Sequence, residues 1–134
     1  MSTWTEDELR AVGTATELRI STRRHDGTLR PPVPIWVVRV GDGIYVRSYK
    51  GTGGAWFRRA SALGTAHIRA ADVDRDVTVN LTGTAARAEI DEAYRAKYAR
   101  YGRAYVEPMT ADAAAATTLL LTPAPRKEDD HGSQ

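Results

Sequence analysis

Residues 47–59 read Arg-Ser-Tyr-Lys-Gly-Thr-Gly-Gly-Ala-Trp-Phe-Arg-Arg and hold four cations with no acid among them. Such a cluster repels itself unless an anion neutralises it. Gly51, Gly53 and Gly54 let backbone N–H groups turn inward as a nest, and the helix expected next begins there with its partial positive charge. Arg47, Ser48 and Lys50 arrive on the preceding strand, and Thr52 sits among the glycines. Trp56, Arg58 and Arg59 fall in the first turns of the helix. The chain has 3 lysines against 16 arginines, and a compact ammonium such as Lys50 beside glycines suits a phosphate. The segment reads as an anion-binding loop with phosphate as the favoured occupant. The competing reading is a solvated loop whose arginines pair with Asp72, Asp74 or Asp76, with Trp56 as a core anchor.

Other chemistries find little support. His25, His67 and His131 are far apart and lack metal-ligand spacing, so His67, inside a strand, reads as structural. Gly51-Thr52-Gly53-Gly54 matches neither a Walker loop nor a dinucleotide fingerprint, and no Gly-x-Ser-x-Gly elbow occurs. Asp72-Val73-Asp74-Arg75-Asp76 imitates the opening of a calcium loop, but Gly83 stands where its closing glutamate belongs. It reads as a charged turn, and no metal is expected.

The whole chain bounds these readings. Its 134 residues suit one domain, and 42% hydrophobic residues are enough for a core. Cysteine is absent, which removes disulfides and thiol chemistry. No apolar run could span a membrane, and the acidic start is no secretory signal, so a cytoplasmic protein is expected. The net charge of +2 comes with acids interleaved among the arginines, which argues against nucleic acid.

The elements that must carry the loop follow from local patterns. Thr5 and Glu8 form a capping box for a helix over 6–12, ended by Gly13. A strand is expected over 17–22 and a loop over 23–34, where three prolines oppose a central ladder. Strands over 35–40 and 44–49 flank Gly41-Asp42-Gly43 as a hairpin. With Asp42-Gly43 as turn centre, Val40 faces Tyr45 and Val38 faces Arg47, while Arg39, Val46 and Ser48 share the other face. A helix over 55–63 ends at Gly64, and strands follow at 65–70, 76–81 and 83–89. The longest helix is expected over 90–105, with Tyr94, Tyr98, Tyr101 and Tyr105 in a stripe that reads as core or dimer seam, and with Asp91 supporting Arg95. A last strand covers 117–121, and residues 123–134 form a polar tail, expected to be disordered beyond a single domain over 1–122. Six or seven consecutive antiparallel strands with three inserted helices describe an α+β, mostly antiparallel small barrel.

Ile35-Trp36-Val37-Val38, Tyr45-Val46-Arg47-Ser48, Trp56, the run Ile90-Asp91-Glu92-Ala93-Tyr94-Arg95-Ala96-Lys97-Tyr98 and Thr117-Thr118-Leu119 resemble an uncharacterised bacterial family, domain of unknown function 2255. The central part is more loosely similar to split-barrel flavin proteins, especially deazaflavin-dependent nitroreductases, where Tyr-x-Arg-Ser-x-Lys-Gly precedes a helix. That resemblance implies a split β-barrel (FMN-binding split-barrel-like) and a homodimer with pockets at the subunit interface. It implies FMN or a deazaflavin as cofactor, with Arg47, Ser48, Lys50, Gly51 and Thr52 on its phosphate and Trp56 and Arg59 beside it. Arg58-Arg59-Ala60 stands where the deazaflavin group carries a Trp-Tyr pair and an asparagine.

Three functions fit these readings. A flavin- or deazaflavin-dependent oxidoreductase needs no acid–base side chain, because the cofactor performs hydride transfer on a small molecule. A non-redox module for a phosphorylated or carboxylated metabolite would use the same cations. A cofactor-free enzyme would employ Tyr94 or Tyr98 as proton donor.

Overall fold

The computed structural model describes residues 3–125. In chain order the elements are α1 (Glu6–Thr14), β1 (Leu18–Ser21), β2 (Val33–Ile35), β3 (Val38–Val40), β4 (Gly43–Val46) and α2 (Ala55–Leu63). They continue with β5 (Thr65–Ala70), β6 (Val73–Leu81), α3 (Arg87–Tyr98), α4 (Arg103–Thr110), α5 (Asp112–Ala115) and β7 (Leu119–Pro123). Short 3₁₀ turns occupy Gly51–Gly53 and Ala99–Tyr101.

The strands form one antiparallel sheet in the order β2-β1-β5-β6-β7-β4-β3. Its two edge strands, β2 and β3, are consecutive in sequence and joined only by Trp36 and Val37. Three residue steps reach at most about 11 Å, so the sheet must curl until its edges nearly meet. This is a split half-barrel. Val37 is fully buried at the seam, outside either strand. The Tyr98 hydroxyl accepts its N–H at 3.1 Å, and the Lys97 ammonium donates to its carbonyl at 2.6 Å, so α3 satisfies both backbone groups.

Two cores flank the sheet. Ile44 and Val46 join Val12, Leu18, Ile20 and Ile68 in the larger one. Val38 and Tyr45 point the other way, beneath Ile90, Tyr94 and Tyr98 of α3. The alternation along β4 thus places successive side chains in different cores.

Several boundaries depart from the sequence reading. The capping box of α1 is present, but the helix runs through Gly13. That glycine is a close-approach site, since a Cβ there would lie 3.0 Å from Arg39 Cβ. Val33 and Pro34, expected as loop, join Ile35 in an edge strand, where Pro34 removes no central bond. The β3–β4 register pairs Val40 with Gly43 and Val38 with Tyr45, two residues from expectation, so the faces are unchanged. The hairpin after β5 turns at Ala71-Asp72, and Val73–Asp76 is strand, not a charged turn. No strand covers 83–89: positive φ at Gly83 and Ala86 breaks the extended chain, and α3 begins at Arg87. The 90–105 helix is two helices, divided by a 3₁₀ turn and Gly102 at φ 94°. With α5 this makes five α-helices among the described residues, not three. β7 begins two residues later than expected and includes Pro123; the expected tail falls mostly on 126–134, outside the described residues.

Candidate functional site

A cavity of about 540 Å³ opens beside the seam. Its wall comprises residues 33–36 of β2 and the seam, 47–50 after β4, 54–56 and Arg59 of α2, Tyr105 and Met109 of α4, and Glu17. This volume lies within the range of small-molecule sites. Ile35, Trp36, Trp56, Tyr105 and Met109 make part of this wall apolar and aromatic. Trp36 is held flat against Tyr98, with ring centroids 3.8 Å apart and planes 2° apart.

Residues 47–50 and 54 of the loop form another part of the wall. Gly51 adopts φ +64° after the turn at Tyr49 and Lys50, and the 3₁₀ turn over Gly51–Gly53 delivers the chain into α2. No side chain caps α2, so the first amides, those of Ala55, Trp56 and Phe57, lack intrahelical partners. The Ser48 hydroxyl lies against this helix start: a Cβ on Gly54 would meet its Oγ at 2.5 Å. Ser48 is buried, its amide donates to Thr117 Oγ1 at 2.9 Å, and its own Oγ has no partner among the described residues.

The nine residues expected at the site divide. Arg47, Ser48, Lys50, Trp56 and Arg59 line the cavity. Gly51, Thr52, Gly53 and Arg58 do not; the glycines shape the turn, and Arg58 is exposed on the helix. Among the described residues, Lys50, Arg58 and Arg59 form no ion pair. Of the three aspartates offered as partners, Asp74 pairs with Arg69 and His67, Asp76 pairs with Arg23 and His67, and Asp72 forms no ion pair among the described residues.

Arg47 is different. Its side chain is completely buried; Nη1 donates to Asp91 Oδ1 at 2.5 Å and to the Met109 carbonyl at 2.8 Å, and Nε donates to Thr118 Oγ1 at 2.9 Å. Its guanidinium carbon lies 5.3 Å from the centre of the Tyr94 ring. Asp91 also accepts from Arg87 Nε at 3.3 Å, so the expected Asp91–Arg95 pair does not form, and Arg95 lies 3.9 Å from Glu92. Asp91, Thr118 and Met109 were missed from sequence. The one signal was an acid on the apolar stripe of α3, a position that needs a buried cation.

Tyr94 and Tyr98 are poor proton donors here. Neither lines the cavity. Burial pushes the Tyr94 phenol far up, and burial raises Tyr98 to about 12, where its hydroxyl is occupied by the Val37 amide and the Thr16 carbonyl. Only Tyr94 and Tyr98 of the expected stripe are buried; Tyr101 and Tyr105 are exposed.

A curled antiparallel sheet with helices packed on it, and a cavity where the sheet's edges approach, defines an α+β protein of the split-barrel type. The chain belongs to the bacterial family described as "Uncharacterized protein conserved in bacteria" (DUF2255), which matches residues 8–121. No curated protein matches it. A solved structure described as "Structure of the FAD and Heme binding protein from Mycobacterium smegmatis" is similar over 99% of this chain and 80% of that chain, with a TM-score of 0.52 and 19% identity. At that identity the likeness is one of fold.

Proposed function

We propose that the protein binds a flavin-type cofactor, FMN or a deazaflavin, in this cavity and acts as an oxidoreductase on a small molecule. The observation that carries the reading is the buried, unpartnered Ser48 hydroxyl beside the uncapped start of α2. Lys50 and Arg59 line the same cavity, whose wall also carries Trp36, Trp56 and Tyr105. An oxyanion there would satisfy the hydroxyl, the free amides and the two cations together. The neighbour of the same fold described as binding FAD and heme adds support.

In this reading Ser48, Lys50, Arg59 and the amides of α2 hold the phosphate. Trp36, fixed by its stack on Tyr98, and Trp56 flank the ring system. Tyr105 and Met109 exclude water from its far side. The bound cofactor would supply hydride transfer, so the chain's residues need only bind, orient and keep the pocket dry. The reading carries a homodimer as well, for which the exposed Tyr49, Tyr105 and Val33 at the cavity mouth offer an apolar surface.

Titration of the purified protein with FMN and with a deazaflavin, followed by flavin fluorescence, is expected to saturate for at least one of them. A nicotinamide or reduced-deazaflavin donor should then support turnover of a small acceptor. Saturation by a phosphorylated metabolite with neither cofactor bound would replace this reading with the non-redox binding module, because the same cations serve both.

A further inference from the structure

We infer that Lys97 and Tyr98 of α3 are positioning residues of the cavity: they hold the backbone at Val37 so that the Trp36 indole stays fixed in the wall, where it meets the ligand's ring system. This rests on the flavin reading above.

The sheet does not fix Trp36. Trp36 and Val37 join β2 to β3 but pair in neither strand's ladder. Val37 is fully buried, and a buried backbone N–H or C=O without a partner is costly. Both groups are met by consecutive side chains of one helix. The Val37 N–H donates to Tyr98 Oη at 3.1 Å, and the Lys97 ammonium donates to the Val37 carbonyl at 2.6 Å. The N–H held by Tyr98 belongs to the planar peptide that links Trp36 to Val37, so this bond restrains the backbone of both residues.

The same phenol ring lies flat on the Trp36 indole, with centroids 3.8 Å apart. One tyrosine thus holds Trp36 twice, by its backbone through the hydroxyl and by its ring through stacking. Tyr98 is itself well anchored. It is 1% exposed, its hydroxyl donates to the Thr16 carbonyl at 2.7 Å, and its ring centroid lies 6.1 Å from that of Tyr94. Lys97 Nζ sits 5.2 Å from the centre of the Tyr98 ring, which ties the two positioning residues together.

Trp36 lines the cavity, whereas Lys97 and Tyr98 do not. Their effect on a ligand must pass through Trp36. An aromatic wall residue restrained at both backbone and ring has little freedom left to lose when a planar ligand meets it, and that lowers the cost of binding.

FMN affinity in the full-length chain, read by flavin fluorescence, tests this through double-mutant cycles. Tyr98→Phe keeps the stacked ring and deletes the hydroxyl; Lys97→Met keeps the apolar stem and deletes the donor. Each should weaken FMN about 5-fold, and Trp36→Ala about 10-fold. In the Trp36→Ala background neither change should weaken FMN further, because the residue they act through is gone. Losses that persist undiminished in that background would overturn the inference, since they would arise elsewhere in the fold. Single variants that bind FMN as tightly as wild type would overturn it as well. Should Tyr98→Phe fail to fold, the half-buried Lys97 decides the matter through its own cycle with Trp36. A second readout uses no ligand: the Trp36 indole N–H resonance of the free protein should move in Lys97→Met while those of Trp4 and Trp56 stay in place, and an unmoved Trp36 resonance would contradict the inference. Wild-type protein that binds no flavin would overturn the flavin reading and this inference together, whereas wild-type binding with additive losses would overturn the inference alone.

Discussion

Arg47 Nη1 lies 2.5 Å from Asp91 Oδ1, joining the end of β4 to the first turns of α3 across 44 residues of sequence. The pair sits beneath α3 and ties two further elements to itself. Arg47 reaches the Met109 carbonyl at the end of α4, and Arg87, which shares Asp91, reaches the Thr110 carbonyl at 3.0 Å and Asp112 at 2.9 Å. The wall of the cavity formed by α4 is thereby anchored to the segment after β4 that carries Ser48 and Lys50.

Asp91→Ala would strand the Arg47 charge in the interior. Breaking a buried pair by removing one partner destabilises by about 3–5 kcal/mol. Chemical denaturation should read a loss of that size for Asp91→Ala, against less than about 0.5 kcal/mol for the exposed Glu92→Ala. Equal, small losses at both positions would mean that the pair is not buried in solution.

Gly54→Ala tests the contact between Ser48 and the start of α2. The backbone at Gly54, φ −67°, accepts any residue, but the new Cβ would lie 2.5 Å from Ser48 Oγ. Overpacking of this kind costs about 1–3 kcal/mol. Adding Ser48→Ala should recover most of the loss, a non-additivity that thermal unfolding of the four proteins can measure. Additive effects would contradict the geometry.

What the sequence reveals, and what it hides, follows the range of the interactions. The capping box of Thr5 and Glu8, the α2 helix with its Gly64 cap and the strand over Thr65–Ala70 are written in neighbouring residues. Arg47, Ser48, Lys50, Trp56 and Arg59 could be picked out because they cluster along the chain. Asp91 could not, since its partner lies 44 positions away and Arg95 offered a plausible local one. Likewise the break at Gly102 is hidden by a tyrosine spacing that continues helical periodicity across it. The barrel seam is a property of sheet order, which local pattern does not encode.

Lys97 predicts a rise in stability in alkali. Burial lowers its ammonium to about 8, below its ordinary value of 10.5. Below pH 8 both folded and unfolded chains carry the charge, and the folded state bears the burial penalty. As pH rises past 8 the folded chain releases the proton while the unfolded chain keeps it, so stability climbs until the ordinary lysine value is reached. Melting temperature measured from pH 7 to 10.5 should show this contribution as a difference between wild type and Lys97→Met. Parallel curves for the two proteins would refute it.

The Asp74–His67–Asp76 cluster acts at the other end of the scale. Hydrogen bonds from Arg69 and then His67 hold Asp74 below its ordinary value of 3.8. For Asp76 partial burial works against ionisation, but His67 and Arg23 outweigh it. Depressed carboxylates stabilise above their unfolded value, and that contribution disappears as pH falls through their folded values. The cluster is largely exposed, so the effect should be small, under about 1 kcal/mol. His67→Ala should lower stability at neutral pH, with the cost fading as pH falls through the folded values of the two aspartates, and so move the acid-unfolding midpoint to higher pH. An unmoved midpoint would count against the cluster.

The most direct test of the central claim is an amide chemical-shift map of the labelled protein as FMN is added. The predicted result is saturable movement of the Ser48, Ala55, Trp56 and Phe57 amides and of the Trp36 indole, with β5 and β6 left in place. Shifts confined to other surfaces, or no shifts at all with FMN in excess, would contradict the assignment of this cavity as a flavin site.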